Sequence, residues 1–432
     1  VVIADNVVMR PSLAELTRTF ARIGLLSFGG PAAQIALMHR EIVDERGWIS
    51  EKDYLGALSF CMLLPGPEAM QLATWIGWRC HGTRGGLIAG GLFVLPGACV
   101  VLALSAAYAG FGGIPMVATA FLGIQAAVVA IVAEALIRVS RRALHGQIER
   151  GVALAAFLGL FALSLPFPVV IVAAALLGAA WLAPSTPAAS GRPLAPLPHP
   201  TRSLVTALIW AAVWLLPLGF LWRWEGGLLT GIGLYFSKLA LLTFGGAYAV
   251  LAWMVQEVVQ LQGWLSTPEM LAGLGLAETT PGPLILVTEF VGFMAGWHGG
   301  GWAMALAGAA VAIWATFIPC FLWIFTAAPY LERLTSAPRL AGALAGIMAA
   351  VVGVIASLSA WFALHVLFTT VGRASLGPLA LPLPELSSLS PLATMTSLGA
   401  GYLLLWRHWP LPWVLGASAL FCALSAVLLP AI

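Results

Sequence analysis

Apolar residues run through this chain in long blocks parted by short polar links. Block A covers about Leu13 to Val43 and is interrupted at Ser27-Phe28-Gly29-Gly30-Pro31. A polar link from His39 to Lys52 follows. Block B opens after Gly47-Trp48-Ile49-Ser50, where Ser50 and Asp53 have the spacing of a capping box. It is apolar from Tyr54 to Trp78, long enough to cross a bilayer, yet it contains Leu64-Pro65-Gly66-Pro67-Glu68. Proline lacks the backbone donor and its ring clashes one turn back, so a helix cannot pass through this stretch. Block C spans Leu87 to Tyr108 and D spans Met116 to Ile137. Two shorter blocks, E (Val152 to Leu165) and F (Val169 to Leu182), meet at Pro166-Phe167-Pro168. Pro184 to Thr201 reads as a Pro-rich linker, and Leu204 to Trp222 as a single apolar helix.

The pattern then restarts. Thr243-Phe244-Gly245-Gly246 repeats Ser27-Phe28-Gly29-Gly30 at an offset of 243 − 27 = 216 residues. Gly263-Trp264-Leu265-Ser266 repeats Gly47-Trp48-Ile49-Ser50, and Thr280-Pro281-Gly282-Pro283 repeats the first Pro-Gly-Pro, at the same offset. Further on, Gly346-Ile347-Met348-Ala349-Ala350-Val351-Val352 echoes Gly123-Ile124-Gln125-Ala126-Ala127-Val128-Val129. The second half therefore holds A′, B′, C′ (Trp302 to Phe325), D′ (Leu340 to Leu364), E′ (Leu392 to Trp406) and F′ (Leu411 to Leu429). The predicted organisation is an N-terminal repeat over 1–183, a linker with a connecting transmembrane helix over 184–227, and a C-terminal repeat over 228–432.

Loop charges predict how the halves face. In the first half the A–B loop carries Arg40, Arg46 and Lys52, B–C carries Arg79 and Arg84, and D–E carries Arg138, Arg141, Arg142 and Arg150. Arg10, Arg18 and Arg22 precede the break in A. In the second half A′–B′ and B′–C′ have no Lys or Arg, whereas C′–D′ has Arg333 and Arg339. Under the positive-inside rule the halves are inverted, and the helix Leu204–Trp222 makes the odd crossing. Basic loops on both sides of B predict that it enters and leaves on one side, as a re-entrant hairpin. The fold class is thus an all-α polytopic membrane protein: two inverted-topology repeats with re-entrant or broken helices at S/T-F-G-G and P-G-P. Composition agrees, with 61% hydrophobic and 9% charged residues, against about 25% charged in soluble domains. The opening residues Val1 to Asn6 lack the pattern of a cleavable signal peptide.

A helix broken at membrane depth frees backbone groups that lipid cannot satisfy, so it must be buried or line a watery cavity. Matching breaks in two halves point to a transport site. Half-helices after Gly30, Pro67, Gly246 and Pro283 would turn their positive N-termini toward a small anion. Arg22 and Lys238 occupy one place in both repeats; each either faces the anion or snorkels to its interface. Ser27 and Thr243 offer matching hydroxyls, for the anion or as caps. The substrate-binding set is Arg22, Ser27, Phe28, Gly29, Gly30, Pro65, Gly66 and Pro67, with Lys238, Thr243, Phe244, Gly245, Gly246, Pro281, Gly282 and Pro283. Glu68 and Glu278 are proton-coupling candidates, and Glu134 a weaker one. Glu41 and Glu257, also matched at the repeat offset, are expected at the interface. No metal, cofactor, P-loop or nucleophile motif is present in the sequence, and its net charge of +3 lies in loops that set orientation, not in a nucleic-acid surface.

These motifs, Ser27-Phe28-Gly29-Gly30-Pro31, Gly47-Trp48, Leu64-Pro65-Gly66-Pro67, Thr243-Phe244-Gly245-Gly246 and Thr280-Pro281-Gly282-Pro283, resemble the chromate ion transporter family over nearly the whole chain. The resemblance implies a bidomain member made of two fused copies that exports chromate from the cytoplasm across the inner membrane and confers chromate resistance, with sulfate as the look-alike anion. Its partners would be that oxyanion, the lipid bilayer and, as an open question, a second copy of itself. The alternatives are a sulfate or other oxyanion transporter, an anion channel of the same fold, and an intramembrane enzyme using Glu68 and Glu278.

Overall fold

The structure is a computed structural model that describes residues 11–28, 30–183, 200–224, 226–244, 247–331, 337–376 and 379–428. Gly29, Gly245, Gly246, Arg10, Arg333, Leu429 and most of the Pro-rich linker lie outside the described residues. Five described helical stretches are long and apolar enough to cross a membrane: Glu68–Phe111, Pro115–Ala143, Thr201–Trp224, Leu284–Tyr330 and Pro338–Leu367. The chain divides into two compact units, each taking segments from both halves of the sequence.

The first unit comprises Val1–Ala103, Thr186–Gly246 and Thr280–Ala337. Helix α1 (Leu13–Leu26) opens with a Ser12–Glu15 capping box and buries Leu16, Phe20 and Ile23. After Ser27 the chain resumes as α2 (Gly30–His39) and runs into a π-helical turn, Arg40–Asp44. Helix α3 (Glu51–Leu63) starts at Ser50, whose hydroxyl accepts from the Asp53 N–H, so the predicted cap is real. Pro65-Gly66-Pro67 ends α3, and α4 (Glu68–Phe111) begins at once. At His81–Gly82 the backbone leaves helical geometry and α4 folds back on itself. Gly77 and Gly85 would stand about 12 Å apart along a straight helix, yet a Cβ on either would strike the other's carbonyl. The predicted blocks B and C are therefore α3 with the short first arm of α4, and its long second arm.

The second half of the sequence contributes α8 (Pro200–Trp224), α9 (Leu228–Leu242) and α12 (Val287–Ala327) to this unit, while α10 (Ala247–Met254) and α11 (Thr267–Thr279) belong to the second. Helices α8 and α9 pack on α12. Trp214 and Leu218 of α8 meet Leu322 of α12 in one core cluster. Helix α12 folds back at Gly300–Gly301, where Gly292 meets Gly308 and Gly296 meets Met304. The two Pro-Gly-Pro corners also lead into their helices differently. A 3-10 turn, Leu284–Leu286, sits between Pro283 and α12, where the first half goes straight from Pro67 into helix.

The second unit comprises Leu104–Ser185, Ala247–Thr279 and Pro338–Ile432. Its helices are α5 (Pro115–Ala143), α6 (Gln147–Phe161), α7 (Phe167–Trp181), α10 (Ala247–Met254), α11 (Thr267–Thr279), α13 (Pro338–Leu367), α14 (Pro391–Gly401) and α15 (Leu411–Leu428). Helix α10 also runs into a π segment, Val255–Leu261, as α2 does. Helix α13 lies against α5, α6 and α7. It does so through small residues, with Gly342 and Gly346 on Gly178 and Gly353 on Ala153, the way helices approach closely where lipid supplies no hydrophobic drive. The blocks E and F are 15-residue helices, α6 and α7, each about 22 Å long.

One element departs from the all-α expectation. Strands β1 (Val371–Leu376) and β2 (Leu379–Pro384) form an antiparallel hairpin, with Val371 opposite Pro384. The signal was the alternation of Leu379, Leu381 and Leu383 with smaller residues and prolines. A two-stranded ribbon has only edges, so Pro382 and Pro384 break no interior ladder.

Candidate functional site

The two kinds of helix break meet, and they meet crosswise. The Gly66 N–H of the first Pro-Gly-Pro donates to the carbonyl of Thr243, in the second half of the sequence, at 2.8 Å. The Gly282 N–H of the second Pro-Gly-Pro donates to the carbonyl of Ser27, in the first half, at 2.9 Å. Four motifs found by spacing alone thus form two reciprocal contacts inside the first unit. Ser27 and Thr243 are each 1% exposed. Their helices end in the same local turn, with Phe28 N–H donating to Leu26 and Phe244 N–H to Leu242.

Backbone geometry explains the glycines. Gly66 and Gly282 have φ of 121° and 91°, a region that side chains with a Cβ rarely occupy. A Cβ on Gly66 would lie 2.8 Å from Gln71 Nε2 and 3.0 Å from Cys320 Sγ. Gly97 of the long α4 arm touches the Pro281 carbonyl so closely that a Cβ there would overlap it.

Two buried amides tie the corners further. Gln34 Nε2 donates to Ser27 O (3.2 Å) and Gly282 O (2.6 Å), so one side chain clips both partners of one crossing. Gln71 Nε2 donates to Pro65 O at 2.7 Å. Because these contacts are carbonyls, the amides are fixed with Nε2 toward them. The Oε1 atoms of Gln34 and Gln71 are left buried and without a hydrogen-bond partner among the described residues. The position matching Gln34 in the second repeat is Val250, so only one crossing is clipped.

This geometry sorts the residues marked in the sequence. Pro65, Pro67, Pro281 and Pro283 have no donor, and the Gly66 and Gly282 donors are used. The Ser27 and Thr243 hydroxyls donate back to Ile23 (2.6 Å) and Leu239 (2.5 Å) within their own helices. What these residues supply here is a rigid crossing.

The two matched cations precede Ser27 and Thr243 by five residues each. Arg22 is 59% exposed, with Nε 3.7 Å from Glu41 Oε1. Glu41, expected at the interface, is 1% exposed and takes a second, 2.6 Å contact from Arg46, so it is a buried carboxylate between two arginines. Lys238 is exposed on α9, on the same stripe as Leu234 and Leu241, just as Arg22 lies with Arg18 and Leu25 on α1. Phe28 is exposed and Phe244 half-buried. Gly30 opens α2 with φ 77°.

Of the acids, Glu68 is half-buried at the start of α4. Glu278 is buried in the second unit, where the Tyr248 hydroxyl donates to it at 2.7 Å. Glu134, in the same unit, pairs with Arg138. Sequence reasoning missed Gln34, Gln71, Tyr248 and Glu289. Each is a polar residue inside an apolar run, and that was the available signal.

The known proteins that this chain resembles fit these observations. The sequence profile described as chromate transporter matches residues 14–179 and 230–423, the stretches on either side of α8. A chromate transport protein of Pseudomonas aeruginosa is 34% identical over 80% of this chain and 79% of its own length. One of Cupriavidus metallidurans is 30% identical over 80% of this chain and 81% of its own. A probable chromate transport protein of Synechococcus elongatus is 30% identical, covering 80% and 83%. No solved structure matches. With its apolar helices and a profile match through both halves, this multi-pass membrane protein belongs to the chromate transporter family.

Proposed function

We propose that the protein exports a tetrahedral oxyanion, chromate or a look-alike such as sulfate, across the cytoplasmic membrane by alternating access. The observation that carries this reading is the reciprocal pair Gly66–Thr243 and Gly282–Ser27. Helices α1 and α3 have 14 and 13 residues, roughly 20 Å each, against a hydrocarbon core of about 30 Å. Helices of that length end inside the bilayer, which supports a crossing near its midplane; in this reading residues 1–183 and 228–432 are the inverted repeats that meet there. Re-entrant chain at this depth is tolerated where it lines a cavity.

In this reading Arg22 and Lys238 face the anion from symmetric positions, and the first turns after Gly30 and Pro67 add helix-end N–H groups. Phe28 and Phe244 line the approach. The crossing holds both sides in register, so that a dianion is passed from one repeat to the other. Outward movement needs no other fuel. A dianion leaving a cell that is negative inside gains about 4.6 kcal/mol per 100 mV, more than a thousandfold gradient. Glu68 and Glu278, the latter hydrogen-bonded by Tyr248, are the candidates for proton coupling.

The test is uptake of labelled chromate and sulfate into inverted vesicles under an imposed potential, for the parent chain and for Arg22→Ala and Lys238→Ala. Saturable, potential-driven uptake that both variants lose supports the reading. Single-channel currents in a planar bilayer would replace the carrier by a channel, and full uptake by both variants would remove these side chains from the site.

A further inference from the structure

We propose that Glu289 is a proton-binding residue whose protonation is linked to anion binding, a proposal that rests on the transport reading above. Glu289 lies in the first turn of α12, six residues after Pro283, in the unit that holds both Pro-Gly-Pro corners. It is 2% exposed, and its Oε2 is buried without a hydrogen-bond partner among the described residues. No ion pair among the described residues involves it. The ionisable side chains on the elements packed against α12 are Tyr235 and Lys238 on α9, Arg202 and Arg223 on α8, and Tyr330 in the turn after α12. Helix α4, within the same unit, meets Phe325 and Phe321 through Gly86 and Gly90 and adds Glu68, Arg79, Cys80, His81, Arg84 and Cys99. Helix α12 itself adds His298 and Cys320. Lys238, Arg202 and Arg223 sit at exposed positions.

The repeat shows that packing does not call for an acid here. The fold-back glycines Gly82 and Gly301, and the contacts Gly77–Gly85 and Gly296–Met304, align the two hairpins at an offset of 219 residues, since the 3-10 turn adds three. Met70 then occupies the place of Glu289, and it is 0% exposed. A position that one repeat fills with methionine, the other fills with a carboxyl group. An isolated carboxylate in such surroundings costs far more to bury than the neutral acid, so in this conformation Glu289 carries its proton. Losing that proton requires the side chain to reach water or a cation.

A dianion bound at the crossing and an ionised Glu289 would repel one another, whereas the neutral acid does not. Protonation therefore raises anion affinity, and by reciprocity anion binding raises proton affinity. At a pH where the anion-free protein has lost that proton, one proton is taken from the aqueous phase to the carboxylate as the anion binds, and is returned as it leaves.

The experiment measures sulfate binding to the purified full chain by calorimetry across pH, with chromate under conditions where it is a dianion as the second probe. Sulfate keeps its charge over that range, so any pH dependence belongs to the protein. The parent is expected to lose affinity as pH rises, approaching tenfold per pH unit, and to take up protons on binding. Glu289→Gln is expected to bind with near-constant affinity and no proton uptake. Glu289→Met, which copies the other repeat, is expected to fold with an unchanged or raised melting temperature. A Glu289→Gln protein that keeps the parent's pH dependence and proton uptake overturns the proposal, as does a folded one that no longer binds. If the parent binds neither anion at any pH, the transport reading itself fails, whatever Glu289 does.

Discussion

Gly66 and Thr243, 243 − 66 = 177 residues apart in sequence, share a 2.8 Å backbone hydrogen bond, and Gly282 repeats the bond with Ser27 at 2.9 Å. Each half of the chain thus supplies the donor for one crossing and the acceptor for the other. Neither half can move its corner without breaking a buried bond to the other half. Such a bond contributes about 1 kcal/mol net, and leaving either group buried and unpaired costs more.

The corner glycines should not tolerate a side chain. Gly66→Ala must hold an unfavourable φ and push against Gln71 and Cys320, a cost of about 1–3 kcal/mol for the backbone alone. Gly282→Ala faces the same backbone problem, with Leu286 Cδ1 at 3.1 Å. Thermal melts in detergent are expected to show both variants destabilised and transport lost. A melt unchanged by Gly66→Ala would mean that the corner is looser than described.

Ser27→Ala and Thr243→Val should behave differently. Their hydroxyls bond to carbonyls in their own helices, so removal should cost under about 1.5 kcal/mol and leave flux nearly intact. If flux falls while the melt is unchanged, the hydroxyls turn toward the anion during transport.

Gln34→Leu removes the clip between Ser27 O and Gly282 O and also removes the orphaned Oε1. The two carbonyls still accept other bonds or face the apolar side chain, so a loss of about 1–2 kcal/mol is expected. Hydrogen exchange should then rise at Gly282 more than at Gly66, whose crossing has no clip. Equal change at both would contradict the asymmetry.

The polar link after α2 carries a pH response. His39 sits 2.5 Å from Glu51 and 3.3 Å from Asp44. Burial works to lower its pKa, but the hydrogen bonds and charges of Glu51 and Asp44 outweigh it and raise the value above 6.5. The stabilisation is fully present below 6.5, the unfolded value, and fades as pH rises through the higher folded one. For a partly solvated pair it amounts to less than about 1 kcal/mol. Melts of the parent and His39→Gln should diverge on the acid side and converge above the folded pKa.

Much of this architecture was legible because proline and glycine act locally. Pro65-Gly66-Pro67 and Pro281-Gly282-Pro283 end helices wherever they stand, and the repeat offset showed that the breaks come in pairs. Ser50 could be read as a cap because its partner is only three residues away. What stayed hidden depends on long-range contacts. Nothing near Gly66 announces Thr243, and nothing near Gly282 announces Ser27. Glu41 looked interfacial because its arginine partners lie on different elements, Arg22 on α1 and Arg46 beyond the π turn. The hairpin over Val371–Pro384 was missed because its prolines argue against interior strands, and this ribbon has no interior.

The most direct measurement is potential-driven flux through the purified protein reconstituted in proteoliposomes, comparing the parent with the Arg22→Ala, Lys238→Ala double variant. Arg46 still holds Glu41 in that variant, so the fold should survive, as a melt will show. The account predicts saturable, voltage-dependent movement of labelled chromate or sulfate by the parent and none above empty liposomes by a folded double variant. Equal flux through both proteins would contradict it.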